Sequence, residues 1–259
     1  MKVIELENCI NVRDICYGNI IPNKLIRSSS LDKISKKDFK KLYEELNVKT
    51  IIDLRTKNEI DDENDIMPSN VNYYNIPLVS EETLGITHGK NTEEKLLSLT
   101  KNMPNMCVLY ENLVARDKEK QWKDIFNIFL NNDGTILWHC KQGKDRCGIV
   151  SAIIEYVLNI DYKTIMEDYL YTNYYCMNKA DKMYQLMLGC NNESNIADEV
   201  KDLFVAKEEY LNSSFNYIKK EYGSINNFLK EICGLDKEKI TKLKNKYTIK
   251  GAIKKNKVL

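Results

Sequence analysis

The stretch His139-Cys140-Lys141-Gln142-Gly143-Lys144-Asp145-Arg146-Cys147-Gly148 holds the densest chemistry in the chain. A cysteine attacks phosphorus only as thiolate, and a free thiol with a pKa near ~8.5 is mostly protonated at neutral pH. A loop whose amides face inward, a helix N-terminus and the guanidinium of Arg146 would together hold Cys140 as the anion. The same amides, contributed by Lys141, Gln142, Gly143 and Lys144, would then cradle the oxygens of a phosphate monoester. Arg146 is planar and forked, so it can take two of those oxygens at once, which a lysine cannot. Gly143 lets the backbone turn toward the ligand with no side chain in the way.

Three further groups complete the chemistry. A leaving alkoxide or phenoxide needs a proton, and Asp145 beside Arg146 is the candidate acid, with Asp117 and Asp53 as competing carboxylates. His139 is expected to orient the loop through hydrogen bonds. Lys141 and Lys144 would add positive potential where a second or third phosphate lies. The pattern is specific: with 8 cysteines and arginine only at positions 13, 27, 55, 116 and 146, Cys-x5-Arg alone arises by chance at about 0.15. Adding the preceding histidine and the glycine lowers that to roughly 5 in 100,000.

The elements that must position this loop are legible on both sides of it. Thr135 to Trp138 reads as a short buried strand, and Gly148 to Leu158 as a helix apolar all round, which belongs in the middle of a domain. Strand, polar loop, buried helix is an architecture in which loop amides and a helix N-terminus hold an anion. Upstream, Lys36 to Leu46 is amphipathic and feeds a β-branched strand at Val48 to Leu54, and Val71 to Ile76 is a second strand stopped by Pro77. From Val79 to about Lys101 the pattern weakens. Met106 to Ala115 and Glu119 to Asn131 are helical in period, and the region from Tyr162 onward is mostly helical, with Gly189, Gly223 and Gly234 as breaks.

The composition excludes several classes. A chain of 259 residues, 43% hydrophobic and 30% charged, has ample material for one large core. A formal net charge of +1 provides no field that would drive it onto nucleic acid. No run approaches the length of a membrane span. The N-terminus carries acids where a signal peptide needs an apolar stretch, so a cytoplasmic location is expected, with the cysteines as free thiols. With only His88 and His139 and no CxxC pair, a zinc site is not expected. One domain spanning 1–259 is expected, with 79–131 as a lid or surface insertion and 247–259 as a basic tail able to touch a membrane surface transiently.

The form His-Cys-x-x-Gly-Lys-Asp-Arg resembles the loop of the atypical bacterial tyrosine and lipid phosphatase family within the cysteine-dependent phosphatases. Other stretches resemble that family too: Asn11-Val12-Arg13-Asp14, the run from Leu25 to Leu31, Ile52-Asp53-Leu54-Arg55-Thr56 with Glu59, and Tyr222-Gly223-Ser224 with Gly234-Leu235. The resemblance implies an α/β cysteine-dependent phosphatase fold, a mainly parallel sheet flanked by helices with a largely helical C-terminal part. It implies a cysteinyl-phosphate intermediate with no metal or other cofactor, Asp145 as the acid, and Arg13, Asp53 and Arg55 lining the pocket. The family places a hydroxyl where Cys147 stands, so Cys147 is expected as its stand-in beneath the nucleophile. Phosphotyrosine proteins, phosphoinositides and inositol phosphates are the substrates implied. A rhodanese-like or arsenate-reducing thiol enzyme, and an inactive phosphate-binding module, are the alternatives.

Overall fold

The structure is a computed structural model and describes residues 1–80, 103–191 and 194–249. Six strands form one sheet: β1 (Lys2–Val3), β2 (Arg13–Asp14), β3 (Leu25–Ser28), β4 (Val48–Asp53), β5 (Asn72–Asn75) and β6 (Thr135–His139), in the order β1-β2-β3-β6-β4-β5. The four strands from β3 to β5 run parallel, and β1 and β2 add an antiparallel edge. The apolar runs that form β3, β4 and β6 are continuous because both faces are covered. Leu25, Ile52, Ile136 and Trp138 point into the larger core, while Ile26, Ile51 and Leu137 point into the smaller one on the opposite face.

The helices follow from amphipathic segments with recognisable caps. They are α1 (Lys36–Phe39), widening into a π-turn over Lys40–Glu45, then α2 (Lys57–Asp62), α3 (Met106–Leu113), α4 (Glu119–Asn131) and α5 (Asp145–Val157). The C-terminal part contributes α6 (Tyr162–Tyr171), α7 (Asn173–Asn191), α8 (Ser194–Asp202), α9 (Glu208–Tyr222), α10 (Ile225–Glu231) and α11 (Lys237–Tyr247). Ser35 and Thr56 each open a helix with a reciprocal capping box, and Gly223 ends α9 in the left-handed region at φ 76°. Gly189 lies inside α7 and does not break it.

Register sets the site. Ser28 pairs with His139 and Asp53 pairs with His139, so β3, β6 and β4 end level and the chain leaves all three at one edge of the sheet. The carboxyl ends of parallel strands are where α/β sheets bind ligands.

Two expectations change here. Met106 to Asn131 is not part of a lid or surface insertion: Tyr110, Trp122, Ile125 and Phe129 are fully buried in the main core, because α3 and α4 present aromatic faces large enough to cover the sheet. The rest of that stretch, 81–102, lies outside the described residues. The expected tail begins later than 247. Tyr247 is buried and donates to the Phe129 carbonyl, and Ile249 donates to the Asn19 carbonyl; 250–259 lie outside the described residues. Among the described residues no helix is long and apolar enough to cross a membrane.

Phe129 joins these layers, with its ring centroid 5.6 Å from Trp138 on β6, 6.3 Å from Tyr247 on α11 and 5.9 Å from Phe126. Phe129→Ala should cost about 3–5 kcal/mol of stability, read as a lowered midpoint in urea denaturation.

Candidate active site

The loop between β6 and α5 is shaped by what its carbonyls bond to. The Lys141 carbonyl accepts from the Ser30 amide and hydroxyl at 3.4 Å each, and the Gln142 carbonyl accepts from Asn11 Nδ2 at 3.2 Å. The Gly143 carbonyl accepts from Asn11 Nδ2 at 2.8 Å and Arg27 Nη2 at 2.6 Å, and Arg27 also reaches the Lys144 carbonyl at 3.5 Å. A trans peptide is planar, with its N–H opposite its C=O. Drawing these carbonyls outward therefore turns the amides of Gln142, Gly143, Lys144 and Asp145 to the other side, which makes an anion-binding concavity. Gly143 is required for this path. Its φ is +66°, and an added Cβ would lie 2.6 Å from the Ser28 carbonyl oxygen.

Buried charges hold the loop from behind. Arg13, expected to line a pocket, is fully buried: its Nε donates to Asp168 at 2.9 Å, and it also reaches Thr172 and the Asn11 side-chain oxygen. Arg27 donates to the other Asp168 oxygen at 2.8 Å. Glu155 beside them is also buried, and that burial, followed by the Asp168 charge, pushes its pKa well up. The two guanidiniums thus share the Asp168 carboxylate under the loop.

Asp53 and Arg55 likewise do not line a pocket. Arg55 donates to Asp53 at 2.8 Å and to the Glu63 carbonyl, and it lies 2.9 Å from Asp65. Tyr73 donates to Asp53 at 2.7 Å. Burial opposes the Asp53 charge, but His139, Arg55 and Tyr73 more than offset it and bring its pKa to about 2. His139 sits between Asp65, at 3.0 Å, and Asp53, at 3.8 Å. Burial disfavours its charged form, and the two carboxylates outweigh burial and raise its pKa. Ligand atoms of Asp53, Asp65 and His139 lie within 4.8 Å of one another, a spacing that suits a metal ion, but the Arg55 guanidinium already supplies the cation to both carboxylates. His139 thus belongs to the charge cluster at the ends of β4 and β6.

Cys140 lies 2% exposed at the bottom of the concavity. Burial works against its thiolate. The Cys147 thiol, the Arg146 charge and the Cys147 amide favour the anion by more, and the pKa falls from 9.0 to about 5. Cys147 is the complementary partner: burial and then the hydrogen bond to Cys140 push its pKa well above the ordinary value, so it stays a thiol and donates. All eight cysteines are free thiols.

Arg146 is aimed by Glu59. Its Nη1 donates to Glu59 Oε2 at 2.6 Å and to the Leu54 carbonyl at 3.3 Å, and its Nη2 donates to Glu59 Oε1 at 2.9 Å. These bonds occupy the end of the guanidinium. The side formed by Nε–H and the second Nη2 proton remains open, a fork that fits two phosphate oxygens. Glu59 itself is held by its capping box with Thr56.

Asp145 opens α5. Its Oδ1 accepts from Tyr110 at 2.8 Å, and Tyr110 shares a further hydrogen bond with Tyr169 at 2.7 Å. Asp117 is exposed and paired with Lys118. Lys141 pairs with Glu63, while Lys144 is buried and donates to the carbonyls of Leu203 at 2.6 Å and Val205 at 3.1 Å. Reasoning from the sequence missed Arg27, Asp168, Asp65 and Tyr110, and it quoted Glu59 without a role. The scarcity of arginine and the resemblance of the run from Leu25 to Leu31 were the signals that pointed toward Arg27.

The sequence model of the tyrosine phosphatase family matches residues 4–249. A tyrosine-protein phosphatase from Nostoc commune is 25% identical over 164 residues, 62% of this chain, and the chain spans about half (52%) of that relative's length. Among solved structures, the core catalytic domain of the PP-IP phosphatase SIW14 from S. cerevisiae, in complex with citrate, is 16% identical at a TM-score of 0.36. That match covers 88% of this chain and 98% of the other. TpbA of P. aeruginosa is 14% identical at a TM-score of 0.31, covering 78% and 96% respectively.

A thiolate with a pKa near 5 should be alkylated long before the other thiols are charged. Iodoacetate modification of Cys140, followed by peptide mass spectrometry, should rise with pH through a midpoint of about 5 and plateau by neutrality. Cys147→Ala should move that midpoint upward, because it removes the thiol donor.

Proposed function

The chain belongs to the tyrosine phosphatase family, and on that premise we propose that it hydrolyses phosphate monoesters through a cysteinyl-phosphate intermediate. The observation that carries this reading is Cys140, with its pKa near 5, lying at the bottom of an amide-lined loop that Arg146 closes with one open fork. In the first step the Cys140 sulfur attacks phosphorus, the bond from phosphorus to the ester oxygen breaks, and Asp145 gives its proton to the departing oxygen. In the second, the Asp145 carboxylate takes a proton from water, which attacks phosphorus and releases the thiolate and inorganic phosphate. The loop amides and Arg146 hold the charge on the equatorial oxygens throughout.

Asp145 is assigned the acid role because it is the carboxyl of the loop itself, and the Tyr110 hydroxyl at 2.8 Å fixes its position. Asp53 is a poor acid, since its surroundings keep it ionised. The substrates in view are phosphotyrosine proteins and phosphorylated inositols or their lipids, acting from solution with at most transient contact to a membrane surface. A sulfur-transfer or arsenate-reducing role finds no support in Cys147, which is held protonated as a donor.

Para-nitrophenyl phosphate turnover tests the reaction. Cys140→Ser should lose at least about three orders of magnitude in turnover, as nucleophile removal does, yet still bind phosphate or vanadate in a calorimetric titration. Turnover that survives in this variant would contradict the covalent route. Asp145→Asn should cost about 10²–10⁴-fold on an alkyl phosphate, the usual scale of general acid catalysis, and much less on para-nitrophenyl phosphate, whose leaving group needs little protonation. Equal losses on both substrates would move the acid role to another group.

A further inference from the structure

Three lysines stand around the loop, and the fold uses them in three different ways. Lys144, which the sequence offered as a substrate contact, is a strut: its ammonium is buried and tied to the carbonyls of Leu203 and Val205. Lys141 is paired with Glu63, which also has Lys33 at 3.6 Å. Lys179, on α7, has neither kind of partner. Among the described residues it meets no carboxylate at ion-pair distance, and its ammonium rests 5.3 Å over the ring of Phe204. Phe204 lies between the two residues whose carbonyls hold Lys144, so the two ammonium groups flank one short segment beside the catalytic loop.

Lys179 shares a face of its helix with Cys176. Cys176, three residues earlier on that face, is buried, and its thiol senses the charges of Lys144, Asp145, Lys179 and Cys140. Lys179 is an exposed residue, but its ammonium is set down among its neighbours. That desolvation, and then the nearby charges of Lys141 and Lys144, lower its pKa, with Cys176 and Glu63 opposing. A cation held over an aromatic face, crowded by like charges and lacking a counter-ion gains most when an anion arrives, because the anion relieves the repulsion as well as pairing with it. Its shelter also keeps salt from screening the attraction fully.

We infer that Lys179 forms a second anion subsite, which takes a further phosphate group of the same substrate beside the one the loop holds. The substrate class selected is therefore a small molecule or lipid headgroup with two or more phosphates, in preference to a singly phosphorylated peptide. The assignment rests on the phosphatase reading for the first phosphate. It replaces Lys144 with Lys179 as the residue that confers the preference, because Lys144 is tied to two carbonyls and Lys141 to Glu63, while Lys179 meets no carboxylate among the described residues.

The test is calorimetric binding to full-length Cys140→Ser protein, which needs no turnover. The probes are inositol monophosphate, a soluble inositol bisphosphate, a short-chain phosphoinositide bisphosphate, and a phosphotyrosine peptide with acidic flanks. Adding Lys179→Ala should weaken the bisphosphates about tenfold relative to the monophosphate, the scale of one charge-assisted hydrogen bond, and Lys179→Arg should restore most of that loss. Selective loss on either bisphosphate supports the subsite, and the arm with the larger loss identifies a soluble or a lipid source. Parallel changes on all probes, no change, or a loss confined to the acidic peptide would overturn it. Failure of the phosphatase reading would show separately, as absent para-nitrophenyl phosphate turnover by the wild-type chain.

Discussion

Arg27 holds the Gly143 carbonyl from inside the protein, and the rest of the site depends on that grip. The guanidinium is fully buried, shares Asp168 with Arg13, and donates 2.6 Å to the loop. Removing one member of such a buried ionic set leaves a charge with no compensation, at a cost of about 3–5 kcal/mol, so the set holds together or fails together. The inward amides and the room for a phosphate follow from carbonyls that are drawn outward.

A second buried set, Asp53, Arg55, Asp65, Tyr73 and His139, does for the strand ends what Arg27 does for the loop. It joins the ends of β4 and β6 to Asp65 in the segment after α2, and α2 itself carries Glu59 to Arg146. Arg146 is therefore oriented by a capping residue of a six-residue helix. The Cys140 thiolate is favoured by a neighbouring thiol, a softer donor than a hydroxyl, which burial and then the hydrogen bond to Cys140 keep protonated.

Much of this was legible from residue types. The strands around the loop, the buried helix after it, and the gathering of Cys140, Gly143 and Arg146 in one loop follow from spacing and from the resemblance. What sequence does not carry is which end of a long side chain finds which partner across the fold. Arg13, Asp53, Arg55 and Lys144 have the types a phosphate pocket uses, yet each is captured by a group outside its own element: Arg13 by Asp168, Lys144 by the carbonyls at 203 and 205, Asp53 by Tyr73, and Arg55 by Asp65. Tyr110, in a segment that reads as a surface excursion, is instead core and touches Asp145. Periodicity gave its helix but not the face it packs against, since burial is a property of the assembled layers.

The central claim is that Cys140 is a cradled thiolate that carries the phosphoryl group. The most direct measurement is acid-quench mass spectrometry of the protein mixed with a rapidly cleaved aryl phosphate. Phosphate should appear on the Cys140 peptide in wild type, accumulate when Asp145 is replaced by Asn because hydrolysis slows, and be missing from Cys140→Ser. Turnover with no phosphate on Cys140 at any quench time, or with phosphate on another residue, would contradict it.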